Sequence, residues 1–185
     1  NTGHYHYYSG RASTTLTETL YQDILPTDSF HVGDLDMTEV MIWMAHEGVT
    51  ANTHYDRSHN FFVQVVGQKK WTLYPPSSFY QLYMYPHHHV HYHQTQVDYE
   101  EPNPSIYPHF ALAEPFEVTL VPGDILYIPP YWFHRVEALS FSMSISIVSP
   151  SEEEQIYNLA YWMPVFLSHD WTPETQIFAV TEYVS

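Results

Sequence analysis

The stretch THYDRSHNFFVQVVGQKKWTLYPP, from Thr53 to Pro76, places His54 two residues before Asp56 and carries both lysines of the chain, Lys69 and Lys70. Residues two apart on a strand share a face, so this imidazole and carboxylate would project together. A set of two histidines and one carboxylate leaves positions open on iron(II), which suits oxygen activation. His134, in GDILYIPPYWFHRV, is the candidate for the third ligand. A surface histidine followed by a loop aspartate has the same spacing, so the pair alone does not decide between the two.

The lysines raise a second chemistry. The chain has 21 acidic residues and only 5 Lys+Arg, yet two of those five stand together here. FFVQVVGQKKWTLY reads as a hairpin turning at Gly67-Gln68, with glycine first as a type II′ turn requires. Val66 would then pair with Lys69, Gln64 with Trp71 and Phe62 with Leu73. Asn60, Phe62, Gln64, Val66, Lys69, Trp71 and Leu73 would share one face. If that face lines an interior, Lys69 is a buried cation needing an anion, because an unpaired buried charge is costly. The alternative is two exposed lysines flanking a turn, one of them paired with a surface glutamate.

Positioning these groups needs a sheet-built frame, and the pattern supplies one. TEVMIWMAHEG (38–48) reads as a buried strand closed by Gly48, and 53–74 as two or three strands. A Pro/His/Tyr-rich loop occupies 75 to about 115. FEVTLVPGDILYIPPYWFHRVEAL (116–139) reads as three strands separated by turns. SFSMSISIV (140–148) alternates as a strand with one buried face does. A short helical stretch is expected around Leu16–Ile24. From Ser151 the pattern turns helical: acidic residues follow a serine, and Ile156, Leu159, Ala160 and Met163 have helical spacing. A second helix starts at Thr172-Pro173. The expected architecture is mainly β, a barrel or jelly roll over 1–149 (with a looser flank at 1–37), then a helical segment at 150–185.

Composition narrows the function classes. A net charge of −16 with histidines neutral repels nucleic-acid phosphate and anionic membranes. Without cysteine, disulfides, zinc-cysteine sites, iron–sulfur clusters and a thiol nucleophile are excluded. No apolar run reaches the roughly 18 residues of a membrane span. No signal peptide or glycosylation sequon is visible. The chain opens Asn1-Thr2-Gly3 without methionine, which suggests processing or truncation.

Taken together, the stretch beginning THYDRSHNFF, the later QVDYEEP and VPGDILYIPPYWFHRVEAL resemble the JmjC oxygenases, and most of all their asparaginyl-hydroxylase branch. The likeness is strong over residues 38–148 and looser in the flanks. It implies a double-stranded β-helix of the cupin type that holds Fe(II) and 2-oxoglutarate. Carried over residue by residue, His54, Asp56 and His134 match the iron ligands, and Lys69 the lysine that binds the distal carboxylate of 2-oxoglutarate. Asn60 matches an asparagine near its metal-side carboxylate, and Tyr8, more loosely, a tyrosine that contacts the cosubstrate. The family's threonine three residues before the first histidine is absent. Ala51 stands there, and a one-residue bulge would bring Thr50 in. Where a close relative has asparagine near the end of the last strand, this chain reads Ile147-Val148-Ser149.

The function this resemblance implies is hydroxylation of a protein or peptide side chain, with no nucleic-acid or membrane partner. Hydroxylation is preferred over histone demethylation because the acidic chain is poorly suited to chromatin. The competing reading is a non-catalytic cupin barrel serving as a metal-binding scaffold or matrix protein; a small-molecule cupin enzyme is a third, and it would not need Lys69. The resemblance implies a cytoplasmic or nuclear location, whereas the His/Tyr-rich, acidic composition also fits an extracellular one. The C-terminal helices are candidates for a homodimer contact or for a cover over one end of the barrel. In PHHHVHYHQ, His87, His89, His91 and His93 alternate. An extended loop would show them on one side, as a second metal site, a surface that charges in mild acid, or a solvated loop. His4 and His6 share that spacing. Arg57 and His59 are candidates for substrate contact or simple surface residues.

Overall fold

The computed structural model describes residues 6–24, 29–86 and 89–156. The chain divides into two compact units, 1–151 and 152–185; the second is described only at its start, where 152–156 are helical. The expected C-terminal helix pair, and the dimer contact assigned to it, therefore lie almost wholly outside the described residues. Among those residues no helix is long and apolar enough to cross a membrane.

The first unit is mainly β, as expected. Strands β1 (Tyr7–Arg11), β2 (Glu39–Ala45), β4 (His59–Val66), β7 (Ile125–Ile128) and β9 (Ser142–Ser149) form one sheet in the order β1-β2-β9-β4-β7. Strands β3 (Thr50–Tyr55), β5 (Lys69–Tyr74), β6 (Phe116–Leu120) and β8 (Phe133–Ala138) form another in the order β3-β8-β5-β6. All pairings are antiparallel. Short helices α1 (Ala12–Thr15) and α2 (Glu18–Ile24) precede β2, and α2 coincides with the helical stretch expected around 16–24. A core of Phe62, Trp71, Leu73, Leu120 and Ile128 lies between the sheets, with Trp43, Leu126, Trp132 and Val136 packed against it.

The expected hairpin at Gly67-Gln68 does not form. β4 bonds to β9 and β7, while β5 bonds to β8 and β6, so neither strand has a free edge for the other. The chain instead turns a corner from one sheet into the next. Inward alternation survives this change, because each strand still directs every second residue to the interior: Phe62, Gln64, Lys69, Trp71 and Leu73 are buried, whereas Val66 is exposed.

Two residues hold the corner. Gln64 is fully buried; its Nε2 donates to the Val66 and Gly67 carbonyls at 2.7 and 3.2 Å, and its Oε1 accepts from Ser144 Oγ at 2.9 Å. Gly67 sits at φ +71°, and a Cβ built there would lie 2.0 Å from the Phe141 carbonyl oxygen. Gly67→Ala combines left-handed strain with a backbone clash, which should destabilise the fold by about 3 kcal/mol. A melting curve should show Tm lower by roughly 6–12 °C; an unchanged Tm would refute this account of the corner.

β9 departs from the one-buried-face pattern in an informative way. Ser142, Ser144 and Ser146 are buried, and so are Ile145 and Ile147. As the middle strand of its sheet, β9 turns its serines toward the barrel interior. On the other side, Met143, Ile145 and Ile147 line an apolar groove with Leu16, Leu20 and Phe30. Small polar side chains on the inner face leave the interior room for a cavity.

The long loop after β5 closes back onto the barrel. Tyr55 N–H donates to the His93 carbonyl (3.1 Å), Thr95 N–H to that of Thr53 (3.0 Å), and His54 bridges Gln94, so 93–95 cover the outer edge of β3. Farther along the loop, Glu100 pairs with the buried Arg135, whose guanidinium lies over Tyr99 at 4.5 Å and also meets Glu137 at 3.3 Å.

Candidate metal centre and anion pocket

His54 and His134 are partners across β3 and β8, which sets their rings 4.3 Å apart. Asp56 stands one residue past the end of β3. Its carbonyl accepts from Tyr131 N–H at 2.7 Å, tying the turn after β3 to the one before β8, and its Oδ2 reaches within 3.7 Å of His134 Nε2. One ligand atom from each of the three lies within 4.8 Å of the others. The fold thus brings together, from two separate strands, the pair read from its spacing and the third candidate, His134.

Both imidazoles are aimed from behind. His54 Nδ1 is 2.7 Å from the Asn52 carbonyl and His134 Nδ1 3.0 Å from that of Trp132. A carbonyl only accepts, so each Nδ1 carries the proton and each Nε2 keeps its lone pair for a cation. Burial, then the neighbouring His54, pushes the His134 pKa down to about 4 against the opposing pull of Asp56. A neutral imidazole is the form that ligates metal.

The triad lines a cavity of about 120 Å³ together with Tyr7, Trp43, Asn60, Phe62, Lys69 and Trp71. Lys69 is buried, which selects the interior reading over the exposed one. No carboxylate pairs with it among the described residues; its Nζ lies 5.1 Å from the Phe62 ring centroid, and burial lowers its pKa to about 8. Lys70, by contrast, points outward to Glu117 at 2.7 Å. Two further polar atoms of the wall, Asn60 Oδ1 and Trp71 Nε1, are buried without a hydrogen-bond partner. An unpaired cation, a cradle of free Nε2 atoms and one orphaned donor, the Trp71 indole N–H, fit a metal-chelating dicarboxylate. Composition and spacing singled out Lys69, but neither Trp71 nor Gln64; a buried indole donor has no signature in a sequence.

Two residues expected at the cosubstrate lie elsewhere. Tyr8 is exposed, with its hydroxyl 2.7 Å from Thr15 Oγ1; the strand register turns its neighbour Tyr7 to the cavity instead. The bulge expected in β3 is present, between Ala51 and His54, but it leaves Thr50 exposed opposite Glu137 while Ala51 lines the wall. Outside the cavity, Arg57 donates to the Tyr92 hydroxyl at 3.0 Å, and His59 Nδ1 is 2.7 Å from the Tyr127 hydroxyl.

The histidine-rich loop is not extended. Turns bond His89 N–H to the Pro86 carbonyl and Tyr92 N–H to that of His89; the His89 and His91 rings lie 5.5 Å apart, while His93 turns to Tyr55, which it meets edge-on. His89 stacks on Tyr85 at 4.2 Å. Among the described residues the triad is the only group of three metal-capable side chains. His87, like His4, lies outside the described residues.

A family model described as a cupin-like domain matches residues 4–161. Lysine-specific demethylase JMJ30 of Arabidopsis thaliana is 34% identical over 136 residues, covering 73% of this chain and 31% of that protein. The tRNA wybutosine-synthesizing protein 5 of Danio rerio is 35% identical over 100 residues, covering 54% and 29%. The chain thus spans less than a third of the length of either relative. Among solved structures, a ribosomal oxygenase from Escherichia coli in complex with cobalt and 2-oxoglutarate is 23% identical, covers 79% of this chain and 37% of that one, and has a TM-score of 0.41.

Proposed function

Because the chain belongs to the cupin-like domain family, we propose that it is a JmjC-type, Fe(II)- and 2-oxoglutarate-dependent oxygenase that hydroxylates a protein or peptide side chain. The observation that carries this reading is one cavity lined by both a two-histidine, one-carboxylate triad and an unpaired buried lysine. A 2-oxo dicarboxylate is the ligand whose two ends such a cavity serves.

In this reading His54, Asp56 and His134 hold the metal through Nε2, a carboxylate oxygen and Nε2. Bound iron(II) supplies oxygen activation, so that R–H, O2 and 2-oxoglutarate give R–OH, succinate and carbon dioxide. Lys69 holds the distal carboxylate, and Asn60 faces the metal-side end. Phe62 and Val136 exclude water from the cavity. The half-exposed Asp56 marks the side open to substrate. A protein side chain is favoured over RNA because a net charge of −16 offers no basic stripe for phosphates.

Iron(II)-dependent succinate release from 2-oxoglutarate in the presence of a peptide library tests the proposal, with His54→Ala as the inactive control. A protein that binds Fe(II) and 2-oxoglutarate but releases no succinate with any peptide would favour the non-catalytic scaffold. That second reading is supported by Ala51, which leaves its part of the wall without a hydroxyl.

A further inference from the structure

Two tryptophans line the cavity, and they differ in one respect. Trp43 Nε1 donates to Ser146 Oγ at 2.9 Å. Trp71 Nε1 is buried with no partner, although the residue is only 2% exposed. An indole N–H can only donate, and a buried donor left unpaired is both rare and costly. The ring does not owe its place to that donor: Phe62 packs against it edge-on at 4.6 Å and His134 lies 5.6 Å away.

The strand register shows what the donor would meet. Facing inward along β5 are Lys69, Trp71 and Leu73. Lys69 is opposite Ala138, Trp71 opposite Val136, and Leu73 opposite His134; beyond these, Val136 is opposite Ala51, and His134 opposite His54. Trp71 therefore occupies the rung between the lysine and the metal-ligating histidines, and both of its neighbours on that rung are apolar. A ligand spanning the cavity from Lys69 to the triad crosses this rung.

We infer that the Trp71 indole N–H is a second donor to the dicarboxylate, hydrogen-bonding it between Lys69 and the His54–Asp56–His134 triad; this rests on the cosubstrate reading above. Trp71 thereby acts as a determinant of cosubstrate affinity. Lys69 supplies charge, and Trp71 supplies a neutral donor of fixed direction that does not titrate.

The test is calorimetric binding of 2-oxoglutarate to the zinc-loaded full chain, which binds without turning over, comparing wild type with Trp71→Phe. The variant keeps an aromatic ring and loses the N–H. Its Kd should rise about ten- to hundredfold, in line with a hydrogen bond to a charged acceptor, and by the same factor at pH 6.5 and pH 9. In 15N-labelled wild type, the indole resonance that W71F lacks should shift on adding 2-oxoglutarate; a purely structural indole would stay in place. Equal affinities in wild type and W71F, or an indole resonance that does not move, would overturn the assignment. Failure of the zinc-loaded wild type to bind 2-oxoglutarate at all would overturn the cosubstrate reading, and this assignment with it.

Discussion

His134→Ala should abolish succinate formation and weaken binding of Fe(II) or Mn(II) by more than about a hundredfold, since even residues that merely orient a ligand contribute 10–100-fold. The imidazole is buried, neutral, and fixed by the Trp132 carbonyl at 3.0 Å. It thus meets a cation with little ordering left to do. Alanine leaves only His54 and the half-exposed Asp56, too few to outcompete water for a divalent ion. Calorimetry or Mn(II) magnetic resonance reads the affinity, and circular dichroism checks that the barrel persists. A folded variant with wild-type metal affinity would remove the triad from the mechanism.

Lys69→Met should produce two opposite effects. It should cost the protein at least about a hundredfold in 2-oxoglutarate affinity, because removing one partner of a buried ion pair costs 3–5 kcal/mol. The ligand-free fold should nonetheless become more stable, since no carboxylate compensates this lysine. Its pKa is about 8 in the folded chain against 10.5. Below pH 8 both states are protonated, and the folded state carries the whole penalty, about 3 kcal/mol from a shift of this size. Between pH 8 and 10.5 the folded state loses its proton first, so wild-type stability rises with pH and the advantage of the methionine variant shrinks. Affinity runs the other way. Wild-type binding of 2-oxoglutarate should be flat below pH 7 and fall toward tenfold per unit above 8, with no such slope in the variant. Denaturant melts and calorimetry at pH 6.5 and 9 measure both. A variant less stable than wild type at pH 6.5 would mean that some group already neutralises Lys69.

These outcomes bear on what a sequence can and cannot disclose. His54, Asp56 and His134, which the fold brings together, and the buried Lys69 were legible chiefly through the resemblance to a known family; spacing and the scarcity of lysine alone left each of them open. Strand positions were legible from alternation. The partners of those strands were not: Gly67-Gln68 has the chemistry of a tight hairpin, and nothing local reveals that both edges of β4 and of β5 are taken. Tyr8 and Thr50 failed for the related reason that a one-residue difference in register exchanges the inside and outside of a strand. Trp71 escaped notice because an indole in a barrel is ordinarily core, and only the missing partner of its nitrogen sets it apart.

The segment after β5 is sewn down at 93–95 along β3 and again where Glu100 meets Arg135. Between that second stitch and Tyr107, every side chain is exposed. Residues can therefore be added or removed in 101–106 without disturbing the strand that carries His54, which makes this span the natural place to graft a tag or alter the outer rim while the chemistry beneath is left intact.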